Sequence, residues 1–310
     1  MIRGLILSLA LASPAGAFEL AWPIACALGQ TCHIQHYLDH DTGPGAQDFT
    51  CGSLSYDGHD GTDIALPNRA AMEAGVNVLA AAPGTVLGTR DDIADFAPVI
   101  AGKECGNGVL VADGEGWQTQ YCHMKQGSVV VRPGDILSTG SVLGQVGQSG
   151  AAEFPHLHLT VRHNGKPVDP FAPDQTACGT TATQGLWTAA LPYQPGGIQA
   201  AGFATEVPTF TAIEAGLPAT PIAANAPALV LWAEVYGARA GDSLTFAVTG
   251  PDGSTVLQDT AALTRTQDLL FRATGRKLHA ALPSGTYLGN IRLLRQGTEV
   301  HRTTVQVSVP

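Results

Sequence analysis

The sequence predicts a mainly β protein built as two antiparallel units in tandem, and three observations lead there. Gly 37 and Pro 20 of 310 residues are far above what long helices tolerate. Apolar residues fall in short alternating runs of four to eight, separated by Gly, Pro, Asn and Asp turn signals. All six cysteines lie at or before Cys178, so the chain changes character after that point. Hydrophobic residues at 45% with charged residues at only 14% exclude a disordered chain. A formal net charge of −10 excludes the basic footprint of a nucleic-acid or anionic-membrane binder.

The chain begins with Arg3, an apolar run Gly4–Ala12 and the small-residue site Ala15-Gly16-Ala17. This pattern predicts a secretory signal peptide over residues 1–17. The run is far shorter than the ~20 residues a membrane span needs, and no later stretch reaches that length. An exported chain with an even cysteine count predicts disulfides within residues 26 to 178, with the pairing left open among fifteen arrangements.

From residue 18 to 178 the runs read as short strands. Val76–Leu87 divides around Pro83-Gly84, and Gly108–Val111 with Trp117–His123 reads as a hairpin around Asp113-Gly114-Glu115-Gly116. Ser128–Val131 and Val142–Val146 continue the pattern, and no amphipathic helix is expected in this unit. His156–Arg162 alternates strictly, so His156, His158, Thr160 and Arg162 share one strand face. Residues 179–205, rich in Gly, Ala, Thr and Pro, read as a linker or extended crossover. Residues 206–310 carry strand-like runs at Ala228–Tyr236, Ser243–Val248, Lys277–Leu282, Thr286–Leu294 and Thr303–Val309. Their spacing predicts an immunoglobulin-like β-sandwich, expected to act as an accessory domain.

Chemistry is concentrated in the first unit. His59 and Asp63 stand four residues apart beside Gly58 and Gly61, where a flexible loop can fold both onto one ion. His156 and His158 project from one strand face with Leu157 turned to the core, and His123 ends a predicted strand. In chain order, His59-x-Gly61-x-Asp63, Tyr121-x-His123, Gly134-Asp135, Gly144-x-x-Gly147 and Pro155-His156-Leu157-His158 form one array. It resembles the lysostaphin-type, LytM-like zinc metallopeptidases that cleave peptidoglycan, over roughly Tyr56 to Pro170. The departures, Phe154 before Pro155 and Leu159 after His158, fall on non-ligand positions.

The resemblance implies a small antiparallel β catalytic domain with one Zn²⁺ per chain, held by His59, Asp63 and His158, and a fourth position left for water. It implies His123 and His156 as the catalytic pair, one a general base and both stabilising the oxyanion and protonating the leaving amine. The expected reaction is hydrolysis of peptide bonds in peptidoglycan stem-peptide cross-links through a zinc-activated water. Export would place the enzyme in the periplasm or outside the cell. The alternatives are a non-catalytic zinc-binding regulator of wall hydrolases and a zinc peptidase acting on proteins. Residues 91–104 are an insertion that either walls the groove or forms a surface loop. His33, His36 and His40, beside Asp39 and Asp41, read as part of a disulfide-tied N-terminal segment lying across the groove, not as a second metal cluster. His163, His279 and His301 read as surface residues.

Overall fold

The structure, a computed structural model, describes residues 17–175, 177–179 and 185–310. The expected signal peptide therefore lies outside the described residues, apart from its last position. The first unit comprises β1 (His33–His36), β2 (Thr62–Ala65), α1 (Arg69–Ala74), β3 (Asn77–Leu79), β4 (Gly84–Arg90) and β5 (Asn107–Gly114). It continues with β6 (Trp117–Met124), β7 (Ile136–Leu137), β8 (Val142–Gln145), β9 (His156–His163) and β10 (Lys166–Pro167). One antiparallel sheet runs β1-β2-β9-β6-β5-β4-β7, with β10 appended to β9, while β3 and β8 form a separate pair.

Alternation along these strands divides the sheet into two faces. Leu157, Leu159 and Val161 of β9 are fully buried with Ile34, Ile64, Val109, Val111 and Tyr121 in one core. Each such apolar side chain contributes roughly 1.5–3 kcal/mol by leaving water. The Tyr121 hydroxyl accepts the Ala81 amide at 2.8 Å, so the one polar atom it carries into the core is satisfied. The opposite face carries His156, His158 and Thr160, as the period of two predicts.

Several expectations change here. The six-residue helix α1 was not expected; Asn68 caps it by accepting the Ala71 amide, and Gly75 ends it at φ 87°. Ser128–Val131 is not a strand, although Val130 still donates its amide to Leu143. The N-terminal segment does not merely trail from disulfides: it supplies β1, the edge strand beside β2. Residues 91–104 form a loop pinned from behind. Asn107, fully buried, bonds both the Ile93 amide and its carbonyl, and Asp95 accepts the amides of Gln126 and Gln148.

The second unit holds β11 (Gly197–Ala204), α2 (Phe210–Ala215), β12 (Ala228–Ala238), β13 (Ser243–Thr249), β14 (Thr255–Ala262), β15 (Gln267–Lys277), β16 (Gly285–Arg295) and β17 (Thr298–Val309). Sheets β11-β12-β15 and β14-β13-β16-β17 enclose a common core of Leu231, Val235, Leu244, Phe246, Ile291 and Leu293. The arrangement is compatible with the expected immunoglobulin-like sandwich. β11 lies inside the stretch expected as linker, because pairing with β12 orders a Gly- and Ala-rich run that carries no strand signal of its own. Lys277–Leu282 is not a strand beyond Lys277; the strand precedes it as β15. β14 and β15 escape detection because β14 is mostly exposed, β15 is mostly half-buried, and both lack apolar alternation.

The two units meet along β1. His33 stacks on Tyr236 of β12 with ring centroids 4.0 Å apart, and Gln35 Nε2 donates to the Asp268 carbonyl at 2.9 Å. All six cysteines pair, as Cys26–Cys32, Cys51–Cys178 and Cys105–Cys122. The second bridge spans 127 residues and ties the N-terminal segment to the chain beyond β10. Closing so long a loop restricts the unfolded chain by about 4–5 kcal/mol in the chain-entropy account.

Two outcomes are expected. Alkylation of the denatured, unreduced protein leaves its intact mass unchanged, and peptide mapping recovers these three bridges; alkylated cysteines or other pairs would contradict the pairing. The second concerns Glu234, fully buried on β12, with Gln199 bonded to one carboxylate oxygen and the other without a partner. Burial, opposed by Gln199 and reinforced by Glu214, pushes its pKa up to about 7. Its folded pKa exceeds the unfolded value, so stability is fullest below pH ~4.5 and is lost as pH rises through 7, on the order of 3 kcal/mol. Glu234→Gln should therefore raise the melting temperature increasingly from pH 5 to pH 8; a constant offset would contradict this.

Candidate metal centre

Four strands bring the site together in one row across the sheet. His36 of β1 pairs with Asp63 of β2, Asp63 with His158 of β9, and His158 with Cys122 of β6. Neighbouring strands lie ~4.8 Å apart, so side chains of this row that share a face must touch. His59 enters from the loop before β2. Gly61 lets that loop close, since a Cβ there would stand 2.6 Å from the Leu159 carbonyl and 2.7 Å from His158 Nε2.

Two histidines reach this face only by breaking strand alternation. On β6, His123 is an extra residue in the ladder with β5, between Tyr121 opposite Val109 and Met124 opposite Asn107. Its φ of 61° is left-handed, an unfavourable conformation for a residue with a Cβ, and it is held by bonds from its own amide to Cys105 O and from Gly147 N to its carbonyl. Regular alternation would send His123 to the core beside Tyr121. Instead its ring centroid lies 4.6 Å from that of His156. On β1 the register shifts between Ile34, opposite Ile64, and His36, opposite Asp63. The bulge leaves Ile34 in the core and turns His36 onto the site.

Three donor atoms converge. His59 Nε2 lies 3.2 Å from Asp63 Oδ1 and 3.2 Å from His158 Nδ1, and His158 Nδ1 lies 2.8 Å from Asp63 Oδ1. Metal–ligand bonds of 2.0–2.1 Å in a tetrahedron put ligand atoms about 3.3 Å apart, so two nitrogens and one carboxylate oxygen at these separations fit Zn²⁺. The trio could hold a metal ion, and all three residues are buried. Partners on the far side of each ring orient it. His59 Nδ1 donates to the Tyr37 carbonyl at 2.7 Å, which presents Nε2 as a lone pair. His158 Nε2 bonds Thr160 Oγ1 at 2.9 Å and lies 3.3 Å from Asp60 Oδ1, which presents Nδ1.

His123 and His156 stand beside the trio with the same internal logic. Their Nδ1 atoms donate to the Ser149 and Phe154 carbonyls, each at 2.8 Å, so both keep Nε2 as an acceptor. Burial, with His156 and His158 adding to it, pushes the His123 pKa down to about 3; burial also lowers His156, against the opposing carboxylate of Asp63. Burial opposes charge on Asp63 too, but His59, His156, His158 and His36 outweigh it and hold its carboxyl well below the usual range. For His158 burial is outweighed by Asp60 and Asp63, which lift its pKa to about 9.

All five residues singled out in the sequence thus meet in one place. The remaining histidines keep their expected places to differing degrees. His36 is a neighbour of the site, its Nδ1 3.1 Å from Asp63 Oδ2. His40 is buried and bonded to Asp169 at 2.8 Å, His163 stacks on Trp117, and His301 accepts the Ile198 amide, leaving only His279 of the three expected surface histidines exposed. The motif order carries no signal for His36, which lies upstream of the array and reaches it through a bulge.

Comparison with known proteins follows the same boundaries. Residues 57–170 match peptidase family M23. The peptidoglycan DD-endopeptidase ShyA of Vibrio cholerae is 30% identical over 111 residues, covering 36% of this chain and 22% of that protein. The cell division protein DipM of Caulobacter vibrioides is 32% identical over 118 residues, covering 36% and 17%. The chain thus spans less than a quarter of the length of these relatives. Among solved structures, a mutant catalytic domain of the prophage-encoded M23 protein EnpA from Enterococcus faecalis aligns at a TM-score of 0.33 and 24% identity, over 52% of this chain and 98% of that one. The catalytic domain of lysostaphin from Staphylococcus simulans aligns at 0.29 and 20%, over 44% and 85%. Residues 57–170 are a peptidase family M23 domain of the LytM-like kind.

Proposed function

We propose that this chain is an exported zinc metalloendopeptidase that hydrolyses peptide bonds in peptidoglycan cross-links, acting in the periplasm after removal of residues 1–17. The observation that carries the reading is the convergence of His59 Nε2, Asp63 Oδ1 and His158 Nδ1 beside two histidines whose Nδ1 atoms are bonded to backbone carbonyls. The names of the relatives support the substrate class, and the short apolar run at the N-terminus supports export.

When bound, zinc supplies Lewis-acid polarisation of the scissile carbonyl and makes an attacking water acidic enough to ionise near neutral pH. The protein's own part is proton movement and orientation. His123 is neutral across the physiological range, and its Nε2 takes the proton of the attacking water. The resulting imidazolium then returns that proton to the departing amine. His156, its ring facing His123, flanks the same site, and the Nε2–H that His123 gains on taking the proton stabilises charge as it develops on the carbonyl oxygen. The carbonyl groups of Ser149 and Phe154 hold both rings in the tautomer that leaves Nε2 able to accept a proton.

His59→Ala and His158→Ala should lose both zinc, read by elemental analysis, and release of cross-linked muropeptides from purified peptidoglycan, read by mass spectrometry. His123→Ala should retain zinc and its sheet spectrum in circular dichroism while turnover falls 10²–10⁴-fold. Full zinc occupancy in His158→Ala would overturn the ligand set, and a folded, zinc-loaded, fully active His123→Ala would overturn the proton-transfer role. Cleavage of a protein panel without any peptidoglycan product would overturn the substrate class.

A further inference from the structure

We infer that His36 is a positioning residue for the metal centre: its Nδ1–H holds the outer oxygen of Asp63, so that the inner oxygen, Oδ1, faces the metal. This rests on the proposed zinc site. The two oxygens of Asp63 have separate surroundings. Oδ1 lies among His59 Nε2, His158 Nδ1 and His156 Nε2, at 3.2, 2.8 and 3.5 Å, whereas Oδ2 takes its bond from His36 at 3.1 Å. A carboxylate free to rotate would offer either oxygen or both; a donor fixed on one side selects the other.

The His36 ring has no competing hydrogen bond. It is 6% exposed, and its Nε2 is buried without a partner. Only the tautomer with the proton on Nδ1 satisfies the contact to a carboxylate and leaves a bare lone pair, rather than a stranded N–H, on the buried side. The rings of Tyr56 and Phe154 pack around it, edge-on at 5.3 Å and tilted at 6.1 Å.

The backbone is shaped for this contact. Without the shift between Ile34 and His36, Gln35 would oppose Asp63 and His36 would oppose Thr62, turned toward the core. With it, Gln35 points to the second unit, where it bonds Asp268, and His36 points to Asp63. His33, one pair further along, stacks on Tyr236. The strand that carries the orienting donor is thus clamped between the M23 domain and the sandwich. His36 lies outside residues 57–170, so the domain match does not include it.

The test uses the full mature chain and three variants. His36→Asn retains a donor near Nδ1, His36→Leu has nearly the same shape without a donor, and His36→Ala removes the ring. Zinc affinity is measured by competition with a chromophoric chelator, and the Co²⁺-substituted proteins are compared by their visible d–d spectra. Loss of an outer-sphere partner typically weakens metal binding 10–100-fold. His36→Leu and His36→Ala should show that loss with altered cobalt spectra, and His36→Asn should lie within a few-fold of the unsubstituted protein. If His36→Ala does not fold, the Leu and Asn pair decides, because the two differ in donor capacity and hardly in volume. Equal zinc affinity in His36→Leu and the unsubstituted protein, or equal loss in His36→Leu and His36→Asn, overturns the inference while the metal site stands. An unsubstituted protein that binds no zinc overturns the metal site itself, and the inference with it.

Discussion

The carboxylate of Asp63 is 2% exposed and sits on β2, between β1 and β9 in the sheet of the first unit, where an unpaired charge would be costly to bury. Four imidazoles surround it, from the loop before β2, from β1 and twice from β9. Every one of those rings is in turn held from behind or packed from the side: His59 by Tyr37 O, His158 by Thr160 and Asp60, His156 by Phe154 O, His36 by Tyr56 and Phe154. The demand of one buried charge for compensation therefore dictates ring orientation and tautomer around the whole site. A divalent cation at the convergent donors meets the same demand, which is why the geometry that stabilises the carboxylate also suits a metal.

The sheet supplies the precision. A row of cross-strand neighbours from β1 to β6 sets His36, Asp63, His158 and Cys122 side by side. Histidines at i and i+2 on β9 need nothing beyond regular pleating to share a face. His36 and His123 need a departure from it, and each departure is locked by its surroundings. At His123 the Cys105–Cys122 bridge and the Cys105 carbonyl fasten the strand end. At His36 the sandwich holds Gln35 and His33. Irregular backbone at both places costs local energy and is maintained because the neighbouring structure leaves no alternative.

The sandwich is consequently more than a neighbour along the chain. Its strand β12 is buried on both sides, with Leu231 and Val235 in the sandwich core and Tyr236 against β1. The Cys51–Cys178 bridge and the bond from the Tyr193 hydroxyl to Asp48, at 2.7 Å, fasten the chain that leads into the sandwich onto the first unit. A segment that joins two units in this way belongs to neither alone.

Local sequence determined the β class and the strands with strict apolar alternation, and the order of its motifs, through their resemblance to a known family, singled out His59, Asp63, His123, His156 and His158. Those are features written in near-neighbour chemistry: a glycine that lets a loop close, a pleat of period two, a turn signal. Tertiary structure alone decided the rest. β11, β14 and β15 are ordered by partners that neither their composition nor their periodicity discloses. The cysteine pairing depends on which chain segments meet, across as many as 127 residues. His36 belongs beside Asp63 only because one extra residue in a strand reverses the face on which it emerges, and a register shift between strands 27 residues apart leaves no trace in either strand's own sequence.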